Sequence, residues 1–330
     1  MVDGQGNVWF TEVGAGKIGK LIPETGEISE YTTPTPNSGP HTPILAEDGI
    51  LWFTEQRASK IGRFDINTGE ITEFATLTPS ANPYGIIVDA EGDAWFAELQ
   101  GHHIGRVDAK TGAVTEYAPP TEGSGPRRIA IDSNGILWFT EYNAGKIGSF
   151  DPKSGEMVEY DTSSESSGPY AIWVDKYDNV WFSLTGIFKV GKFDQTTQEL
   201  HEYDLPSPET HIKFIHTDNN GNVWFPNYNN NKVGVILADM QSVPDEDMER
   251  IVDAPEPADE DEAPEEMPEN ELEIPAAEPS SETSATGQII DSEDQSVGLI
   301  MIGVALGAVG AIAAFVLLRR KKRRISNKIS

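Results

Sequence analysis

Five residues of unlike chemistry recur at one place in this sequence. His41, Tyr84, Arg127, Tyr170 and Lys213 are spaced 43 residues apart, and the first four each follow a proline, in GPHTPI, NPYGII, GPRRIA and GPYAIW. All five side chains can hydrogen-bond, stack or carry charge. Gathered together they would suit an anionic or cyclic ligand, with Arg127 and Lys213 supplying positive charge. Held apart they would be rim residues facing solvent. The run Glu209-Thr210-His211 has the order of a carboxylate–histidine metal or base pair. It stands two residues ahead of the 43-residue register, and its PSPETH context suits a solvated loop.

The elements that must position these residues are legible from the same period. A tryptophan falls at Trp9, Trp52, Trp95, Trp138, Trp181 and Trp224, always at the same interval and inside runs such as NVWFTE, ILWFTE and DAWFAE. A K-I-G element keeps the beat at Lys17-Ile18-Gly19, Lys60-Ile61-Gly62, His103-Ile104-Gly105, Lys146-Ile147-Gly148, Lys189-Val190-Gly191 and Lys232-Val233-Gly234. A period in this range with four short apolar runs per unit marks a blade of an all-β propeller. One unit reads as strand a over 83–89, b over 93–98, c over 103–108 and d over 114–118, with Asp89-x-x-Gly92 and Lys110-Thr111-Gly112 as turns. Trp95 and Phe96, adjacent on a strand, point to opposite faces, so both faces are expected to be buried between blades. The tryptophans are therefore packing residues. The glycine after K-I marks a close backbone approach, not a phosphate cradle.

Six repeats occupy residues 1–242. The first lacks strand a, and the sixth runs into VPDED where strand d should be. Open strand edges are avoided in natural folds. The expectation is that Met1 is an internal residue of a longer seven-bladed protein, the alternative being a six-bladed ring closed by unusual pairing. The charged series Glu12, Glu55, Glu98 and Glu141 is expected to pair locally with Lys17, Lys60, His103 and Lys146. His102 and His103 read as lacking carboxylate partners, and His201 and His216 as structural or surface residues.

Charge divides the chain further. The net charge of −30 is made of −18 in 1–242, −19 in 243–296 and +7 in 319–330. An acidic surface repels phosphate backbones, so no nucleic-acid partner is expected. Cysteine is absent, which excludes disulfides and thiolate metal sites. The acidic, Pro-rich segment 243–296 reads as a disordered stalk. The uncharged stretch 297–318 would rise about 33 Å as a helix, enough to span a bilayer core of roughly 30 Å. RRKKRR follows it and places the tail, 319–330, in the cytoplasm. A plasma-membrane protein with one C-terminal span and an external propeller follows. Export of the propeller calls for a signal peptide, and none precedes NVWFTE.

The recurring P-x-G-I-x-x-D-x-x-G-x-x-W-F-T-E-x-x-x-x-K-I-G-R resembles the virginiamycin B lyase (streptogramin lyase) family across about residues 1–240; the SMP-30/NHL-type propellers are a looser comparison. That resemblance implies a seven-bladed propeller that opens cyclic depsipeptides by elimination with a magnesium ion. It also implies two histidines after the strand-a proline in successive blades, and a glutamate two residues before the second. His41 matches the first histidine and would be the catalytic candidate. The next blade has Tyr84 and Asn82 in place of the histidine and glutamate. The out-of-register His211 and Glu209 are the remaining base and metal candidates.

Two functions follow from different classes. One is a membrane-anchored propeller that binds a small molecule or protein at its channel mouth. The other is a magnesium-dependent lyase acting on cyclic esters.

Overall fold

A computed structural model of the protein describes residues 1–46, 48–207, 209–229 and 231–238. The acidic segment 243–296, the uncharged segment 297–318 and the basic tail 319–330 lie outside the described residues, as does the place expected for the sixth strand d. Among the described residues no helix is long and apolar enough to cross a membrane.

Those residues form six antiparallel sheets in chain order, each a simple meander. The third is representative: Pro83–Val88, Ala94–Glu98, His103–Val107 and Val114–Tyr117 are strands a to d. These bounds lie within a residue or so of those expected from the repeat. The first sheet contains Val8–Glu12, Lys17–Ile22 and Glu27–Thr32. Its strand a is reduced to Met1 and Val2: Val2 bridges Val8, and the Met1 amino group donates to the Trp9 carbonyl at 2.8 Å. In the sixth sheet strand a shrinks to His216–Thr217, beside Val223–Asn227 and Lys232–Ile236.

Five hydrophobic clusters among the described residues each join neighbouring sheets. Trp95 packs with Leu137 and Phe139 of the fourth sheet, while Phe96 packs with Ile50 and Trp52 of the second. The two faces of one strand thus feed two different cores, as the alternation requires. Each tryptophan also needs a partner for its indole N–H when buried. Asp3, Asp89, Asp132, Asp175 and Asp218 accept that hydrogen bond at 2.7–3.1 Å in five sheets. The same aspartates cap the a–b turn; Asp89 Oδ1 takes the amides of Glu91 and Asp93. At Gly105 a Cβ would lie 2.1 Å from the Phe96 ring, so the glycine after K-I is a packing requirement.

Strands a of the second to fifth sheets share one irregularity. Their ladder to strand b slips between Pro40 and Pro43, Pro83 and Ile86, Pro126 and Ile129, and Pro169 and Ile172. A bulge of this kind bends the strand and re-aims the side chains within it. The two residues inside each slip are His41-Thr42, Tyr84-Gly85, Arg127-Arg128 and Tyr170-Ala171.

Candidate functional site at the channel mouth

Strands a of the second to fifth sheets pack against their neighbours, and the bulged residues meet. The His41 ring lies 4.3 Å from that of Tyr84. Tyr84 and Tyr170, two repeats apart, share a very short hydroxyl–hydroxyl hydrogen bond, with rings at 6.0 Å. The Arg127 guanidinium stands over three tyrosine rings, at 4.6 Å from Tyr84, 4.5 Å from Tyr142 and 3.9 Å from Tyr170. Arg128 faces Tyr84 at 5.0 Å and Phe214 at 4.9 Å, and donates to Thr42 Oγ1 at 3.0 Å. Contacts between blades two apart require the a strands to converge on a narrow axis.

The bulge is pinned from the preceding blade. Thr11, Thr54 and Thr140 donate hydroxyl hydrogen bonds to the carbonyls of His41, Tyr84 and Tyr170 at 2.7, 3.1 and 3.1 Å. The sixth repeat departs here. Ser183 donates instead to Ile212 at 2.8 Å, so the carbonyl place expected of Lys213 belongs to a buried isoleucine. Lys213 turns its ammonium onto Tyr228 of its own sheet, 4.1 Å from the ring, and is not part of the cluster. The missing strand-a proline explains the shift: Ile212 stands where the other repeats have Pro, and strand a does not form until His216. Glu209 and His211 are not brought together either. Glu209 is exposed, with a left-handed φ of 56°, and His211 sits edge-on to Phe188 at 5.2 Å.

The electrostatics of the cluster are one-sided. Burial, reinforced by Arg128 and Arg127, holds the His41 imidazole down to about 3, so it is neutral at any ordinary pH. Its Nδ1 lies 2.9 Å from Thr42 Oγ1. That hydroxyl accepts from Arg128 and, with its second lone pair or its own hydrogen, can meet Nδ1 in either imidazole tautomer. Burial would raise the Tyr84 phenol, but its bonds to Tyr170 and Arg127 and the field of both arginines bring it below its ordinary value. Burial pushes the Arg128 guanidinium down, against the pull of both tyrosines. The Nε atoms of Arg127 and Arg128 are buried and have no acceptor. The charges acting most strongly on His41 are Arg128 and Arg127, and on Tyr84 and Tyr170 they are the two arginines and, for Tyr170, Tyr84.

Away from the channel, strands b, c and d hold a second set of ionisable groups. The pairing expected there is corrected. Glu55 and Lys60 are register partners, as are Glu141 and Lys146, but each lysine reaches across to strand d. Lys60 Nζ lies 2.7 Å from Glu73 and Lys146 Nζ 3.2 Å from Glu159. Glu55 and Glu141 are left buried, and their oxygens have no partner in good hydrogen-bond geometry. Burial pushes both carboxyls up to about 7. His103 has the expected Glu98 beside it and, unlike the reading of it as lacking carboxylate partners, a second carboxylate, Glu116.

The match to known proteins spans the whole of this architecture. The family model for virginiamycin B lyases covers residues 2–251, more than half of the chain. The chain belongs to the virginiamycin B lyase family. It is 33% identical to virginiamycin B lyase from Staphylococcus aureus, with a TM-score of 0.68 over 72% of this chain and 80% of that one. A streptogramin B lyase structure is 35% identical, with a TM-score of 0.67 over 72% of this chain and 78% of the other. The S. aureus protein is also known as a catalytically inactive variant with quinupristin, at the same identity and TM-score. The extracellular domain of a one-component system from B. thetaiotaomicron shares the fold at 19% identity, with a TM-score of 0.59 over 72% of this chain and 34% of that one. No curated protein matches the chain.

The family implies a magnesium ion, which takes oxygen ligands and above all carboxylates. The channel mouth of this member offers two guanidiniums, three phenols and a histidine whose Nδ1 is already occupied. These residues do not fit that ion. Arg128, Tyr142 and Phe214 were not legible as site residues, because each needs the bulge or a neighbouring strand to bring it to the axis. The doubled arginine of GPRRIA, unlike the small second residue of NPYGII and GPYAIW, was the available signal.

Proposed function

We propose that this lyase-family propeller is a binding module that takes an anionic, ring-bearing ligand at its channel mouth. The observation that carries the reading is the pair of partly buried guanidiniums, Arg127 and Arg128, whose Nε atoms are buried and have no acceptor. A buried cation without a counter-charge costs several kcal/mol, so an arriving carboxylate or phosphate would be strongly favoured. The rings of Tyr84, Tyr142 and Tyr170 supply stacking faces beside that charge. The ligand is a small molecule, or a protein segment carrying such a group.

The lyase reading is weaker on chemical grounds. A general base works best with a pKa near the operating pH, whereas burial and the two arginines hold His41 at about 3. The uncharged stretch 297–318 and the basic tail support anchoring to the plasma membrane with the propeller outside.

The test uses the full chain in detergent. Benzoate and quinupristin are titrated against intrinsic fluorescence, and quinupristin is followed by mass spectrometry with and without magnesium. Binding of benzoate that weakens at least tenfold in Arg128→Met, with quinupristin left intact, is expected. Ring opening that disappears in His41→Ala would replace this reading with the lyase.

A further inference from the structure

The first four blades repeat one acid pair. Strand b ends in Glu12, Glu55, Glu98 or Glu141, and strand d carries Glu30, Glu73, Glu116 or Glu159. Strand c starts between them. In blades one, two and four its first residue is a lysine, and the ammonium stands 2.5, 2.7 and 3.2 Å from the strand-d carboxylate. Those blades therefore carry a cation in their own sequence.

Blade three does not. Its strand c begins with His103, whose Nδ1 lies 3.6 Å from Glu98 Oε2 and 3.9 Å from Glu116 Oε2, too far for a hydrogen bond to either. Glu98 is fully buried, and burial beside the Glu116 carboxylate pushes it up to about 9, so a proton shared with Glu116 holds the place a cation would take. Its oxygens meet no other partner in good hydrogen-bond geometry. Glu116 is held in place from the far side: the amides of Leu77 and Thr78 donate to its Oε1, and the Thr78 hydroxyl to its Oε2 at 2.7 Å. A second substitution coincides with the first. Blades one, two and four have Ala15, Ala58 and Ala144 where blade three has Gly101. A Cβ there would lie 2.2 Å from Glu98 Oε2, so the glycine opens the space that this carboxylate occupies.

One ligand atom from each of Glu98, His103 and Glu116 lies within 4.8 Å of the others. Ligands held about 2.0–2.1 Å from a tetrahedral ion sit about 3.4 Å apart, so both carboxylates would have to move inward, by up to about 1.4 Å, to close the set. We propose that blade three binds one divalent first-row transition metal ion through Glu98, His103 Nδ1 and Glu116, where its sister blades use a lysine ammonium. One imidazole with two carboxylates favours Zn²⁺, Co²⁺ or Mn²⁺ over the alkaline-earth ions, and leaves a position for water or the Thr78 hydroxyl. The ion would tie strands b, c and d to the segment at Leu77–Thr78. Its ligands stand on strands b, c and d, with Glu98 opposite Pro83 of strand a, and the role assigned to the ion is structural.

The full chain, stripped by chelator, is titrated with Zn²⁺ by calorimetry and with Co²⁺ by its visible absorption bands. His103→Lys installs the residue of the sister blades, and Glu98→Gln keeps the shape while removing a ligand. One tight site is expected in the native chain, with a rise in Tm of about 5 °C at a hundredfold excess over Kd. His103→Lys should lose that site and the rise, and Glu98→Gln should weaken it at least tenfold. The acidic segment 243–296 can hold Zn²⁺ loosely, but neither variant touches it. Binding that is unchanged in both variants, or no tight site in the native chain, overturns the proposal. Should His103→Lys fail to fold, Glu98→Gln decides alone.

Discussion

The channel mouth and the acid pairs are built from the same repeat, yet they vary in opposite ways. At the mouth, successive blades present His41, Tyr84, Arg127 and Tyr170, no two neighbours alike. At the acid pairs the first four blades keep glutamate on strands b and d with little variation, and the fifth drops one partner to Leu184. The mouth gathers buried positive charge without an anion; the acid pairs bury negative charge beside a supplied cation. The difference teaches where to read function in a repeat. A position that must differ in every blade serves the whole ring, whereas a position that stays constant serves its own blade, and a single exception to constancy marks a local specialisation. His103 is that exception.

The contrast can be broken or sharpened by experiment. The largest effect should come from the scaffold common to both regions. Trp181 is fully buried, packs with Tyr203, Ile212 and Phe225, and donates its indole N–H to Asp175 at 2.9 Å. Trp181→Ala should cost about 3–5 kcal/mol in guanidinium unfolding. A loss below 1 kcal/mol would mean that blade five contributes little to the fold.

Next comes Arg128→Met. If the mouth holds uncompensated charge, an apolar side chain of similar length should leave stability unchanged or raise it by about 1–3 kcal/mol, even as anion binding falls. A clear loss of stability would mean that its contacts with Tyr84, Phe214 and Thr42 matter more than its desolvation.

The acid pairs predict a pH slope. The folded-state pKa of Glu141, raised by burial to about 7, exceeds its ordinary value of 4.5. Such a group contributes stability that is fully present below the unfolded value and is lost as pH rises through about 7, a fall of about 3 kcal/mol. Glu141→Gln should remove that share of the slope between pH 5 and pH 8 in thermal unfolding, leaving the shares of Glu55 and Glu98. An unchanged slope would place the titration elsewhere.

Much of this was legible before any coordinates. The tryptophan beat gave the sheets because strands of a repeated unit must bury the same faces each time, and Trp95 with Phe96 could only serve two cores. The mouth was legible in part. His41, Tyr84, Arg127 and Tyr170 converge as the spacing implies, but Lys213 does not, because counting by 43 cannot see that Ile212 replaces a proline and that strand a is nearly lost. Arg128 escaped because alternation assigns it to the face opposite Arg127, and only the slip in the ladder brings both to the axis. The acid pairs were misread for a different reason. Register fixes which backbones face each other, and Lys60 does face Glu55, but a four-carbon stem chooses among all carboxylates within reach. His103 lacked visible partners because Glu116 stands a full hairpin away in sequence.

The slip after each strand-a proline has a wider consequence. Inside it, two residues are released from the ladder that dictates every other side chain in the strand. The first residue of each slip, His41, Tyr84, Arg127 or Tyr170, varies freely in type. The second is constrained, as Ala171 packs in a core and a Cβ at Gly85 would meet the Arg128 backbone at 2.8 Å. The carbonyl clamps from Thr11, Thr54 and Thr140 work whatever side chain is attached at the first. The propeller behaves as a socket with interchangeable pins. New ligand preferences can be reached one blade at a time, at the first slip position of each blade, without rebuilding the sheets.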